Sequence, residues 1–192
     1  MRMMKVKGTE GLEWLRTIGV AIILAVFFRT FFFSSYIVDG ESMMPTLENG
    51  NLLIINKIVD EIDDLTRFDV IVFHATPEDD FVKRIIGLPG DKVEYKNDVL
   101  YINNKAVKEP YLEKYKMGLN GENLTGDFTL KGISNGMSEV VPKDHIFVLG
   151  DNRKDSYDSR YFGFVPIENV VGKVNLRYWP IDEIDTDFNI IM

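Results

Sequence analysis

A serine and a lysine are the residues of this chain best suited to open an acyl bond. Ser42 lies in Gly40-Glu41-Ser42-Met43-Met44-Pro45-Thr46-Leu47. The string is not a hydrolase nucleophile elbow, because G-x-S-x-G needs glycine where Met44 stands. No serine is followed three residues later by lysine, which removes the S-x-x-K pattern as well. A histidine base would have to be His74 or His145, the two histidines of the chain. Each falls at the end of an apparent strand, and a lone histidine there is more often structural than catalytic.

Lys83 is the better base. It lies in Phe81-Val82-Lys83-Arg84-Ile85-Ile86-Gly87-Leu88-Pro89-Gly90-Asp91. Strand alternation puts Phe81, Lys83 and Ile85 on one face and Val82, Arg84 and Ile86 on the other. Apolar neighbours strip water from the amine and disfavour its ammonium form. Its pKa would have to fall from about 10.4 towards neutrality, at about 1.4 kcal/mol per unit. Only the neutral amine can accept a serine proton. From local sequence alone, a strand lysine that keeps its water is the stronger reading.

The third chemical string is Gly150-Asp151-Asn152-Arg153-Lys154-Asp155-Ser156-Tyr157-Asp158-Ser159-Arg160-Tyr161-Phe162-Gly163. Its density of hydrogen-bonding types suggests a packed loop; a solvated turn is the alternative. A calcium loop fails, because its twelfth position, counted from Asp151, is Phe162 where a bidentate Glu is required.

Composition narrows the chemistry further. The 192 residues include no cysteine, which excludes a disulfide scaffold, a thiolate metal site and a cysteine nucleophile. A net charge of −8 argues against nucleic acid as partner, and no cofactor or metal is implied.

The elements that must position these residues fall into two parts. Arg2, Lys5, Lys7, Arg16 and Arg29 face only Glu10 and Glu13 within residues 1–35, so a basic head precedes an acidic body. Between them Trp14–Phe33 is apolar for about 20 residues, which at about 1.5 Å per residue matches the ~30 Å hydrocarbon core of a bilayer. Arg29, near the far end, can snorkel to the interface, and Trp14 and Phe31–Phe33 suit the two boundaries. Ser34-Ser35-Tyr36-Ile37-Val38 offers no spaced pair of small residues, so the segment reads as an uncleaved anchor. The expectation is a cytoplasmic 1–13, a transmembrane 14–33 and an extracytoplasmic 34–192.

After Tyr36 the pattern is β. Candidate strands are Leu52–Asn56, Val70–Phe73, Phe81–Ile86, Lys92–Tyr95, Val99–Ile102, Ile146–Leu149 and Val170–Tyr178. Asp98 and Asn103-Asn104 mark tight turns around one of them. Residues 109–139 are the least regular and read as an insertion. The fold class is mainly β, expected as a partly closed antiparallel barrel or sandwich.

Together these segments resemble bacterial type I signal peptidases, the membrane-bound serine–lysine proteases of secretion, and in particular their compact Gram-positive type. The matches run in family order over about residues 15–180: the span, Gly40–Leu47, Arg67–Phe73, Lys83–Asp91 and Gly150–Gly163. The resemblance implies Ser42 as nucleophile, Lys83 as general base, and Ser156 as the hydroxyl that orients the lysine. It makes Asp158 with Arg160 a buried bracing pair and Asp151 with Arg84 further supports. Tyr36, Val38, Phe81 and Val82 would line the sites for small substrate residues at −1 and −3. Gly40 stands where some members carry a serine that donates to the oxyanion, which leaves the second donor open. Secretory preproteins and the lipid bilayer are the implied partners, and a substrate strand is expected along the Phe81–Ile86 edge. Two alternatives are a serine–lysine autoprotease of the repressor-cleaving kind, which shares the β core, and an inert membrane-tethered binding domain.

Overall fold

The computed structural model describes residues 9–57, 65–119, 121–133 and 138–188. Helix α1 (Thr9–Phe32) runs directly into strand β1 (Phe33–Ile37). Ile18, Val20, Ile23 and Leu24, which project in different directions at about 100° per residue, are all at least half exposed. The side chains of 28–33, including Arg29 and the Phe31–Phe33 run, lie outside the described ones. Among the described residues no helix is long and apolar enough to cross a membrane.

Beyond α1 come β2 (Leu52–Asn56), β3 (Val70–His74), β4 (Asp80–Gly87), β5 (Val93–Lys96), β6 (Val99–Ile102) and β7 (Lys105–Val107). Short helices α2 (Glu113–Met117) and α3 (Leu130–Ile133) flank β8 (Phe128–Thr129). The chain closes with β9 (His145–Leu149), α4 (Ser159–Phe162), β10 (Val165–Pro166) and β11 (Val170–Trp179). The strands form two antiparallel sheets, ordered β1-β2-β11-β3-β4-β9-β10 and β7-β6-β5-β8. The mainly β antiparallel class holds, and no closed barrel is formed among the described strands.

The expected strands appear within a residue or two of their expected ends, because runs of β-branched and aromatic residues are bounded by turn formers. Asn97-Asp98 and Asn103-Asn104 all have positive φ, the requirement of two-residue turns whose twist matches that of the strands. β1 was not expected; it continues the apolar run and is recognisable only by its pairing with β2 from Phe33↔Asn56 to Ile37↔Leu52.

The described part of residues 109–139 carries only short elements. Glu109, Leu112, Leu124, Thr125 and Leu130 are all buried, so the segment supplies core to the small sheet. Its anchor is a fully buried ion pair, Arg153 Nη2 to Glu109 Oε1 at 2.7 Å, with the hydroxyls of Tyr95, Tyr111 and Thr125 around it. The pair ties the loop after β9 to the small sheet.

Candidate active site

β4 carries Lys83 in the middle of the large sheet, with Ile71 opposite it on β3. The lysine is 4% exposed. Its Nζ lies 2.7 Å from Ser42 Oγ and donates to the Val82 carbonyl at 2.9 Å. Burial lowers its pKa from 10.5 to about 8, against the opposing pull of Asp158 and Asp151. A substantial share of the amine is thus neutral near physiological pH, and the neutral amine can take a proton from a hydroxyl at hydrogen-bond distance.

Ser42 is held from outside its own segment. Its carbonyl accepts from the Asn152 N–H at 3.0 Å, and the Asn152 side chain donates to the Glu41 carbonyl at 3.2 Å. Met43 and Leu47, fully buried beside it, pin the same segment into the core with Val38 and Leu53. Asn152 was absent from the expected site: nothing in an asparagine's sequence surroundings signals a backbone partner more than a hundred residues away.

Arg84, Asp151, Asp158 and Arg160 are brought together in two ion pairs. Arg84 makes a bidentate pair with Asp151, at 2.9 and 2.7 Å, with both side chains almost wholly buried. Arg160 makes a bidentate pair with Asp158, both bonds at 2.8 Å, and Asp158 also accepts from the Gly150 N–H at 3.0 Å. Neither histidine reaches Ser42. His74 pairs with Asp80, and His145 bonds to the Lys143 carbonyl.

Two expectations need correction, and one point left open is narrowed. Ser156 Oγ, expected to bond and orient Lys83, is buried without a hydrogen-bond partner. The lysine's bonds go to Ser42 and Val82 instead, and the Ser156 hydroxyl packs against Gly150, where a Cβ would collide with it. A buried hydroxyl left unpaired is destabilising. Ser156→Ala is therefore expected to raise unfolding stability by roughly 1 kcal/mol, read as a higher urea midpoint with an unchanged slope.

Gly40 is the point left open. Its N–H is committed to Asn49 Oδ1 at 3.0 Å, so it presents no free donor. Its φ of +96° lies where a serine would be strained.

The second correction concerns the open edge. β9 pairs with β4 at Arg84, Ile85 and Gly87, so the free edge covers only Asp80–Lys83, short of the expected Phe81–Ile86. Around that edge Tyr36 and Val82 pack on the cluster holding Val38, while Phe81 packs on the opposite cluster with Phe73. The four expected lining residues therefore divide between two faces. Tyr36 also donates to Asp80 Oδ2 at 2.9 Å; burial first, and Asp80 second, push its phenol up to about 12, so it stays a donor.

An open antiparallel framework here buries a lysine amine against a serine hydroxyl while both histidines bond elsewhere, an arrangement suited to acyl-transfer chemistry. The chain belongs to the signal peptidase, peptidase S26 family, whose model matches residues 11–179. It is 52% identical over 186 residues to signal peptidase I of Bacillus caldolyticus, covering 97% of this chain and all of the relative. It is 45% identical over 182 residues to signal peptidase IB of Staphylococcus aureus, covering 94% and 95%. The crystal structure of a signal peptidase I from Enterococcus faecalis V583 superposes with a TM-score of 0.53 at 47% identity, over 57% of this chain and 95% of that one.

Proposed function

We propose that this chain removes signal peptides from secretory preproteins by cutting after a small-x-small site, with Ser42 as nucleophile and Lys83 as general base. The observation that carries the reading is the buried lysine amine 2.7 Å from the serine hydroxyl. Lys83 takes the Ser42 proton as the oxygen attacks the scissile carbonyl, and the lysine then protonates the departing amine. An acyl-enzyme remains on Ser42. Lys83 next draws a proton from water, which attacks the ester and releases the signal peptide. The Ser42 N–H donates to the developing oxyanion. Arg84 with Asp151 and Arg160 with Asp158 hold the strand and loop that carry these groups.

The substrate lies extended along Asp80–Lys83, in line with the end of β9, and so reaches Ser42 end-on. Tyr36, Val38 and Val82 form the face that admits small residues at −1 and −3. Residues 14–33 anchor the chain in the membrane, with 1–13 cytoplasmic and 34–192 outside. Apolar side chains exposed in several directions on α1 support that anchoring, although no helix among the described residues is long and apolar enough to cross a membrane.

The test is cleavage of a purified preprotein by the full chain in detergent, with the new N-terminus sequenced. A cut after a small-x-small site that survives His145→Ala is expected; a cut elsewhere, or none by folded protein, overturns the reading. The pH profile gives a second check. The active form is the free amine, so kcat/KM is expected to climb tenfold per pH unit below about 8 and level off above it. An acidic optimum would exclude a lysine base.

A further inference from the structure

We infer that the aromatic cleft beneath the open edge of β4 is a further side-chain subsite, which takes a large apolar residue at the substrate's −2 position. The inference rests on the strand docking proposed above. The cleft holds about 250 Å3, enough for one side chain, and Phe73, Phe81, Tyr157 and Phe162 line it. These rings form a continuous chain: Phe73 to Phe81 at 6.2 Å, Phe81 to Phe162 at 6.4 Å and Phe162 to Tyr157 at 5.5 Å between centroids. Most of the rings are held by the core beneath β3 and β4. Tyr157 is 60% exposed, at the rim.

The cleft adjoins the proposed chemistry through Phe81, which lies under Lys83 Nζ, 5.1 Å from it to the ring centroid. Successive side chains of an added strand point to opposite faces. If −1 and −3 face Tyr36, Val38 and Val82, then −2 faces Phe81, because Val82 and Phe81 themselves alternate. The residue between the two small ones is therefore read, by apolar contact with ring faces and edges.

The experiment compares preproteins that differ only at −2, alanine against phenylalanine, each cut by the full chain in detergent. kcat/KM for phenylalanine is expected to exceed that for alanine by roughly tenfold, since the cleft is open on one side. Tyr157→Ala removes the rim ring, and Ala75→Trp, at an exposed position lining the cleft, fills it. Each is expected to bring the ratio to within about twofold. A ratio taken on one enzyme preparation does not depend on the fraction folded. Equal rates in the wild type, or an aromatic advantage found at +1 and not at −2, overturn the subsite and leave the peptidase reading intact. Failure to cut either substrate overturns both.

Discussion

Lys83→Met is expected to stop cleavage and, at neutral pH, to make the folded protein more stable. The kinetic half follows from the dyad. Methionine cannot accept the Ser42 proton, and no histidine is placed to substitute. The loss in kcat/KM is expected to be about a thousandfold or more. Lys83→Arg should fare no better, because a guanidinium does not give up its proton near neutrality.

The stability half follows from burial. The amine has a pKa of about 8 when folded, against 10.5 when exposed. Below about 8 it is protonated in both states, and the folded state bears the full cost of holding a dehydrated ammonium. Between about 8 and 10.5 the folded chain has released its proton while the unfolded chain still holds one, and the cost fades. Above 10.5 it is gone. Lys83→Met should thus gain ~2 kcal/mol at pH 7, part of the full penalty being offset by lost bonds to Ser42 and Val82. The gain should vanish near the upper pH. Denaturation of both proteins across that range measures it, and a pH-independent difference would count against a desolvated lysine.

The second large effect concerns the pair that braces β4. Arg84 donates twice to Asp151 and once each to the carbonyls of Phe68 and Phe188, at 2.8 and 2.7 Å, with the Tyr111 ring 4.0 Å from its centre. Breaking such a pair from one side leaves a charge buried without its counter-ion. Arg84→Met or Asp151→Asn is expected to cost about 3–5 kcal/mol. The double change Arg84→Met with Asp151→Leu should cost much less than the sum, since no orphan charge remains. Asp151 also raises the lysine's affinity for its proton. In whatever fraction of Asp151→Asn folds, the alkaline-rising limb of the pH profile should therefore move to lower pH. A purely structural role would leave that limb in place.

Much of this molecule can be read from its residues, and the limits have physical causes. Leu52–Asn56 and Val99–Ile102 are recognisable because β-branched runs end at residues able to turn. Ser42 and Lys83 could be joined only through the family resemblance, since alternation along a strand says which face a lysine occupies and not what lies opposite. Arg153 and Glu109 escaped notice because each looks like an ordinary surface charge until the fold buries both. The open edge was placed too far along β4, because strand pairing is a tertiary property and β9 arrives from elsewhere in the chain.

The junction of α1 and β1 has a consequence for reach. The helix passes into the sheet between Phe32 and Phe33 with no intervening residue, and β1 is locked to β2 along its whole length. Given the proposed anchor, the blade is mounted on a stalk without slack. A tethered domain on a loose linker would sample many depths and cut wherever a suitable sequence appeared. Under that proposed anchoring this domain would work at a single height above the lipid, and the fold itself would act as a ruler: a bond would have to stand at the right distance from the bilayer as well as between the right neighbours.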